Sequence, residues 1–345
     1  MTDRPANRPA ARPTMRDVAL RAGVGLGTVS RVVNASGAVK PATAARVQAA
    51  IDELGFQRDE IARALRPGQH SRTIGLLLGD LTNPFYASLA KAAVDITSRA
   101  GYAVVMATVD EDPRAERRAI NELIGRRVAG LIIVPDQGNY GFLKPPGGRE
   151  GTPVVFVDRP ANGIDADVVV FDNERGSHLA TRHLIDHGHR RIAIVVAPSY
   201  YTTGLRVRGY RRALREAGIP VDDHLILKLR HGTTQEATEA TRTALALDDP
   251  PTAVFSTTNF LTEGVLRVTL PHIRPLAVIG FDDFRLADLL PTPVSVVTAD
   301  TEELGRRAAQ LLLRRIDGDT RAPERIVLPV ELIARGSAEI PPADA

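Results

Sequence analysis

The sequence predicts a small all-α head joined to a larger α/β core of two lobes, each built on a doubly wound parallel sheet. Three observations predict it. In the first sixth of the chain, apolar residues recur at helical spacing in three short segments punctuated by glycine. From Thr73 onward, short β-branched runs alternate with amphipathic helical stretches, the rhythm of parallel strands joined by crossover helices. Those runs are TIGLLLG, YAVVMAT, AGLIIV, PVVFV, DVVVF, RIAIVV, TAVFS, LAVIGF and VSVVT, more than one small open sheet usually carries.

Residues 1–13 are rich in Pro and Arg, lack any apolar run and are expected to form a disordered basic lead-in rather than a signal peptide. Thr14, with Asp17 three residues on, has the spacing of a capping box, so Met15 to Ala22 is expected as a helix that Gly23 stops. Gly25 serves as the N-cap of a second helix, which carries Val29, Val32 and Val33 on one face and runs to Asn34. Pro41 suits the first position of a third helix, with Val47, Ile51 and Leu54 inward and Gly55 at its end. Two short helices across a tight glycine turn, followed by a third, make the helix-turn-helix pattern, expected over residues 14–58.

Residues 59–72 are expected to be a hinge helix and linker. Asp59 can cap a helix of about two turns before Pro67-Gly68 breaks it, and so short a helix is marginal without a partner. The core, 73–345, is expected as a first lobe of about 73–170 plus 297–320 and a second of about 171–296 plus 321–337. The break falls near ANGIDADVVVFDN. In such folds sites lie outside the carboxyl ends of strands, so two facing lobes make a cleft.

The chain has 345 residues, 43% of them apolar, and no cysteine, which excludes disulfides and thiolate metal sites and suits a cytoplasmic location. No apolar run is long enough to span a membrane. Residues 1–72 carry 12 Lys and Arg against 6 Asp and Glu, whereas residues 73–345 carry 32 against 35. A basic head on a near-neutral core points to a polyanion partner for the head alone. His178, His183, His187 and His189 invite a metal reading, but His187-Gly188 reads as a helix stop; neither metal nor cofactor is expected. Asp282 and Asp283, being adjacent at a strand end, point different ways and are not an acid/base pair.

Read together, MRDVALRAGV, TVSRVVN, ARALR, LTNPFYASL, HLIDHGHRRIAIV, RVRGYRRAL, VIGFDDF and RIVLPVELIARGS, in that order from Thr14 to about Gly336, resemble the lactose-repressor (LacI/GalR) family of bacterial transcription regulators. The resemblance implies a periplasmic-binding-protein-like core that closes on a small effector, and a homodimer whose heads and hinge helices grip a palindromic double-stranded operator. It implies base contacts from Leu26, Gly27 and Arg31, with Leu65 as a minor-groove wedge and Arg66 beside it. Thr14, Arg16, Gly25, Thr28, Ser30 and Asn34 would hold phosphates. Relatives place serine where Gly25 stands and base-reading side chains where Leu26 and Gly27 stand, which shifts specificity to Arg31, able to pair bidentately with guanine.

For the effector, the resemblance carries over to Asn83, Phe85, Arg206, Asn259 and Asp282, with Asp158, Arg159 and Asp172 at strand ends as further candidates. A guanidinium, carboxylates and amides around an apolar patch suit a carbohydrate, although Arg206 could equally hold a phosphate or a sugar acid. Phe260 stands where the family usually has aspartate. No leucine heptads follow the last strand, so a dimer is expected rather than a tetramer. A competing reading is a solute-binding protein of a transport system, which shares the two-lobed fold but not the basic head. A third, a nucleotide-using enzyme, finds no phosphate-binding glycine motif and no Ser-His-Asp setting. The reading is therefore an effector-controlled, sequence-specific DNA-binding regulator, expected to repress, and not an enzyme.

Overall fold

Two units make up the chain in the computed structural model, residues 1–71 and 72–345. The structure describes residues 13–33, 36–56, 71–109, 112–144, 151–198, 201–270 and 276–342. Three expected contact residues, Asn34, Leu65 and Arg66, lie outside the described residues, as do the lead-in to residue 12 and the hinge helix.

The head is three helices, α1 (Met15–Ala22), α2 (Leu26–Val33) and α3 (Pro41–Leu54). The capping box forms: the Thr14 side chain accepts from the Asp17 backbone N–H, and the Asp17 carboxylate takes the Thr14 N–H at 2.7 Å. Gly23 and Gly55 adopt the left-handed conformation that ends α1 and α3. Val18, Ala19, Ala22, Val29, Val47 and Ala50 interlock at the centre, one apolar stripe from each helix.

The core holds two six-stranded sheets. Its elements run β1 (Thr73–Leu78), α4 (Pro84–Arg99), β2 (Ala103–Thr108), α5 (Pro113–Gly125), β3 (Gly130–Ile133), β4 (Val154–Val157), β5 (Asp167–Phe171), α6 (Asn173–Asp186) and β6 (Ile192–Val196). They continue α7 (Tyr201–Glu216), β7 (Ile226–Lys228), α8 (Thr234–Leu245), β8 (Ala253–Ser256), α9 (Asn259–Thr269), β9 (Ala277–Phe281), β10 (Ser295–Thr298), α10 (Thr301–Ile316), β11 (Arg325–Leu328) and β12 (Glu331–Ile333). The first sheet has the order β11-β5-β4-β3-β1-β2 and the second β12-β10-β9-β8-β6-β7, so the lobes repeat one strand order. Their central strands are apolar on both faces, as sheets covered by helices on two sides require.

Two features depart from expectation. The pair β10–β12 is antiparallel, so the second sheet is not wholly parallel. The lobe boundaries differ from the expected ones: β11, within 321–337, pairs with β5 of the first sheet and not with the second lobe, and β10, which reaches past 297, pairs with β9 of the second sheet and not with the first lobe. The chain thus changes lobe after β5, after β10 and again after β11, because each sheet needs a last strand that the other half of the sequence supplies.

Helices exchanged at these crossings pack closely. Helix α6 lies on α7 and α10 lies on α4, each crossing passing over a glycine. A Cβ at Gly209 would stand 2.2 Å from the Glu174 carbonyl oxygen, and one at Gly305 would stand 2.3 Å from that of Leu89. Gly305→Ala must therefore spread α10 from α4, and is expected to destabilise the core by about 1–3 kcal/mol, read as a lowered thermal midpoint with an unchanged far-ultraviolet spectrum.

Candidate functional site

On the head, the outer face of α2 presents Leu26, Gly27 and Arg31, all exposed, while Thr28 and Ser30 are half-buried. The Gly25 carbonyl accepts the N–H groups of Thr28 and Val29, so Gly25 does start this helix. Arg16 is exposed beside it, lining a shallow depression with Leu20, Gly25 and Leu26. The Thr14 hydroxyl is engaged by Asp17 at 2.7 Å. Leu20, 86% exposed on the helix before the turn, was not singled out in the sequence, where its i, i+4 spacing gives no sign of function. A Cβ at Gly27 would meet nothing within 4 Å.

In the core, the carboxyl ends of β1, β3, β4, β6 and β9 and the helix starts that follow them line a cleft of about 540 Å³. Asn83, Phe85, Asp158, Arg159, Arg206 and Asp282 of the expected set line it. Arg206 projects from α7 and is almost wholly buried. Its Nε donates to Asn173 Oδ1 at 2.8 Å, one terminal nitrogen donates to the Thr257 carbonyl and lies 3.6 Å from Asp282, and the guanidinium sits 3.6 Å over the Phe281 ring. A buried guanidinium needs such partners, and the stack adds a cation–π contact.

Asp158 and Asp282 occupy the same place in the two repeats, immediately after β4 and β9, and both have left-handed backbones, φ 71° and 70°. Non-glycine residues held there cost free energy, and such strain concentrates at functional sites. Burial raises the pKa of both carboxyls above the ordinary range, opposed by Arg159 and Arg206 at Asp158 and chiefly by Arg206 at Asp282. Glu116, also in the lining, is raised by burial while its hydrogen bond from the Tyr140 hydroxyl works against the rise.

Two expected residues are placed otherwise. Asp172 caps α6 by accepting the Arg175 N–H at 3.1 Å and is not among the residues lining the cleft; its neighbour Asn173 is the one that holds Arg206. Asn259 is buried and also absent from that lining. Its Nδ2 donates to Asn83 Oδ1 at 2.9 Å, an amide bridge between the lobes, and its own Oδ1 accepts the Phe260 N–H. Phe260 itself lines the cleft. Asp80, Glu116, Asp136, Thr202, Thr203 and His231 line it too and were missed, although the rule that sites gather at strand carboxyl ends would have found Thr202 and Thr203 just past β6.

The four histidines have structural partners. His178 meets Glu216, His183 meets Glu339, His187 bonds the His183 carbonyl from its place at the end of α6, and His189 lies between Thr252 and the Ile340 carbonyl. Among the described residues no helix is long and apolar enough to cross a membrane.

Comparison with known proteins decides the family. Residues 14–59 match the model of bacterial regulatory proteins of the lacI family, and residues 181–338 match a periplasmic binding protein-like domain. The ribose operon repressor of Escherichia coli (strain K12) is 33% identical over 330 residues, covering 94% of this chain and 99% of that protein. The chain belongs to the lacI family. As a lacI-family protein it is a DNA-binding transcriptional regulator, and the relatives are regulators rather than transport proteins or enzymes. Among solved structures it is similar to the transcriptional regulator CelR–cellobiose complex (33% identity, TM-score 0.69, 94% of this chain and 100% of that one). It is likewise similar to the lac repressor dimer bound to operator and the anti-inducer ONPF (25%, TM-score 0.83, 96% and 100%).

Two outcomes follow for this lacI-family chain. Gly27→Ala is expected to stabilise the isolated fold of the head by about 1 kcal/mol, since nothing obstructs the methyl group and glycine is a poor helix former, as read by chemical denaturation followed in the helical signal. Asp158→Asn is expected to raise the thermal midpoint of the apo protein near pH 7. Because burial raises this carboxyl in the folded state, its ionisation opposes folding above the ordinary carboxylate range, and the opposition vanishes where both states are protonated. The gain should therefore shrink as the pH falls toward 4, and a gain independent of pH would exclude this cause.

Proposed function

We propose that this regulator represses transcription by binding a palindromic operator as a homodimer, and that a hydroxylated, sugar-like effector held between the core lobes controls that binding. The observation that carries the effector half is the constellation of Arg206, Asp282 and Asp158 inside the cleft: a fixed guanidinium beside one carboxylate and within electrostatic reach of a second suits vicinal hydroxyls. Two relatives support the class, one named for the ribose operon and one solved with cellobiose. The DNA half rests on the exposed face of α2, where Arg31 is the side chain able to read a guanine edge, and on the likeness to a lac repressor solved on its operator. Dimerisation is supported by the edge strand β2, whose Val105 and Met106 are 38% and 49% exposed. An apolar strand edge of this kind calls for a partner surface. Leu65 and Arg66 are proposed to enter the minor groove between half-sites, and lobe movement to release them.

The test pairs two variants. Arg31→Ala is expected to lose about 1–3 kcal/mol of discrimination between operator and random DNA while keeping salt-dependent non-specific binding, measured by fluorescence anisotropy. Arg206→Lys, which keeps the charge but not the fork, is expected to leave operator binding intact and abolish the response to effector. Undiminished discrimination in the first, or an undiminished response in the second, removes that residue from its role.

A further inference from the structure

The cleft carries more negative charge than its own cations answer. Five carboxylates line it, Asp80, Glu116, Asp136, Asp158 and Asp282, with two guanidinium groups, Arg159 and Arg206. Each arginine stands beside an aspartate, Arg206 at 3.6 Å from Asp282 and Arg159 at 3.9 Å from Asp158. His231, also in the lining, is matched by Glu236 at 2.9 Å. Asp80, Glu116 and Asp136, all on the first-lobe wall, enter no ion pair among the described residues. Asp80 accepts from Thr82, and Glu116 accepts from the Tyr140 hydroxyl and, at 3.4 Å, from the Asp136 N–H. These are hydrogen bonds without counter-charge, and Arg159, within electrostatic reach of Glu116, is already shared with Asp158.

A second observation, independent of charge, comes from the opposite wall. Thr202 and Thr203, in the first turn of α7, are each only 8% exposed, and both line the cleft. Neither hydroxyl has a hydrogen-bond partner among the described residues. Neither hydroxyl is among the buried unpaired polar atoms, so both remain accessible from the cleft, and as combined donors and acceptors they are suited to a ligand that brings donors and acceptors of its own.

We propose that the effector is a cationic polyol, an amino sugar or amino-bearing oligosaccharide, whose ammonium group lies against Glu116 and Asp136 while its hydroxyls meet Thr202 and Thr203. The proposal rests on the reading of the cleft as the effector site. Against this wall a phosphate or sugar acid meets like charge, a neutral sugar makes ordinary hydrogen bonds, and an ammonium makes charge-assisted ones in a site of reduced dielectric. An ammonium there also offsets the burial that raises Glu116. Phe260, with Phe85 across the cleft, supplies apolar surface for the ring faces.

The experiment is titration calorimetry of the full chain at pH 6.5, where an amino-sugar ammonium is charged, with ligands paired so that each amine differs from its partner by one class of group. The pairs are glucosamine and glucose, galactosamine and galactose, and the β-1,4-linked dimers of glucosamine and of glucose, with glucose 6-phosphate and glucuronate as anions. One amine is expected to bind at least about ten-fold more tightly than its hydroxyl partner, a ratio worth about 1.4 kcal/mol, and the anions to bind more weakly than either. Asp136→Asn, at a half-buried loop position, and Glu116→Gln are expected to cut that ratio about ten-fold. A hydroxyl partner that binds as tightly as its amine, or an anion that binds best, overturns the cationic class while leaving the effector reading standing. If Asp136→Asn leaves the ratio unchanged, the site assigned to the ammonium is wrong. If no compound in the set binds, the sugar-like effector falls together with this proposal.

Discussion

A buried guanidinium organises the core. Arg206 is held from four directions, by Asn173 at the start of α6, the Thr257 carbonyl just past β8, Asp282 just past β9, and the Phe281 ring beneath it. An ion taken from water into so enclosed a place is tolerated only where hydrogen-bond acceptors and opposite charge are brought to it. Several element ends must therefore meet at one point, and the second-lobe wall of the cleft is built as a consequence. The residue after β9, Asp282, has a left-handed backbone and its carboxylate stands 3.6 Å from the guanidinium.

Repetition sets the rest of the site. Each lobe uses the same strand order, and each places an aspartate of matching backbone conformation at the same strand end, so the walls approach the cleft as counterparts. Their side chains then diverge. The first-lobe wall carries the uncompensated acids Asp80, Glu116 and Asp136, and the second carries the arginine, two threonines and a phenylalanine. A ligand bound between them as proposed would meet unlike surfaces on its two sides.

The sequence made the periodic parts legible. Nine apolar runs are nine strands, and the caps at Thr14, Gly23 and Gly55 stand where residue chemistry places them. What escaped is short or long-range. Strands β7, β11 and β12 are three or four residues long, too brief to show a period, and nothing in linear order reveals which sheet receives β10 or β11. At the site, Arg206 and Asp282 are legible from motifs and Asp158 from its place at a strand end, but Asp172 and Asn173 differ by one position, and only the fold tells which of them caps a helix and which touches Arg206. The sequence does not show that the Asn259 amide meets that of Asn83, a partner 176 positions away.

The three crossings between lobes bear on how the molecule is made. The first sheet obtains β11, and the helix α10 that packs on α4, only from residues 301–328, after the second lobe's strands β6 to β10. During synthesis the first lobe thus lacks an edge strand and one covering helix until residue 328 has emerged. Contacts of such sequence separation are slow to close and leave strand edges unpaired in the interval. Neither lobe is complete without the other's stretch of sequence: β11 and β12, at residues 325–333, add the last strand to one sheet and then to the other.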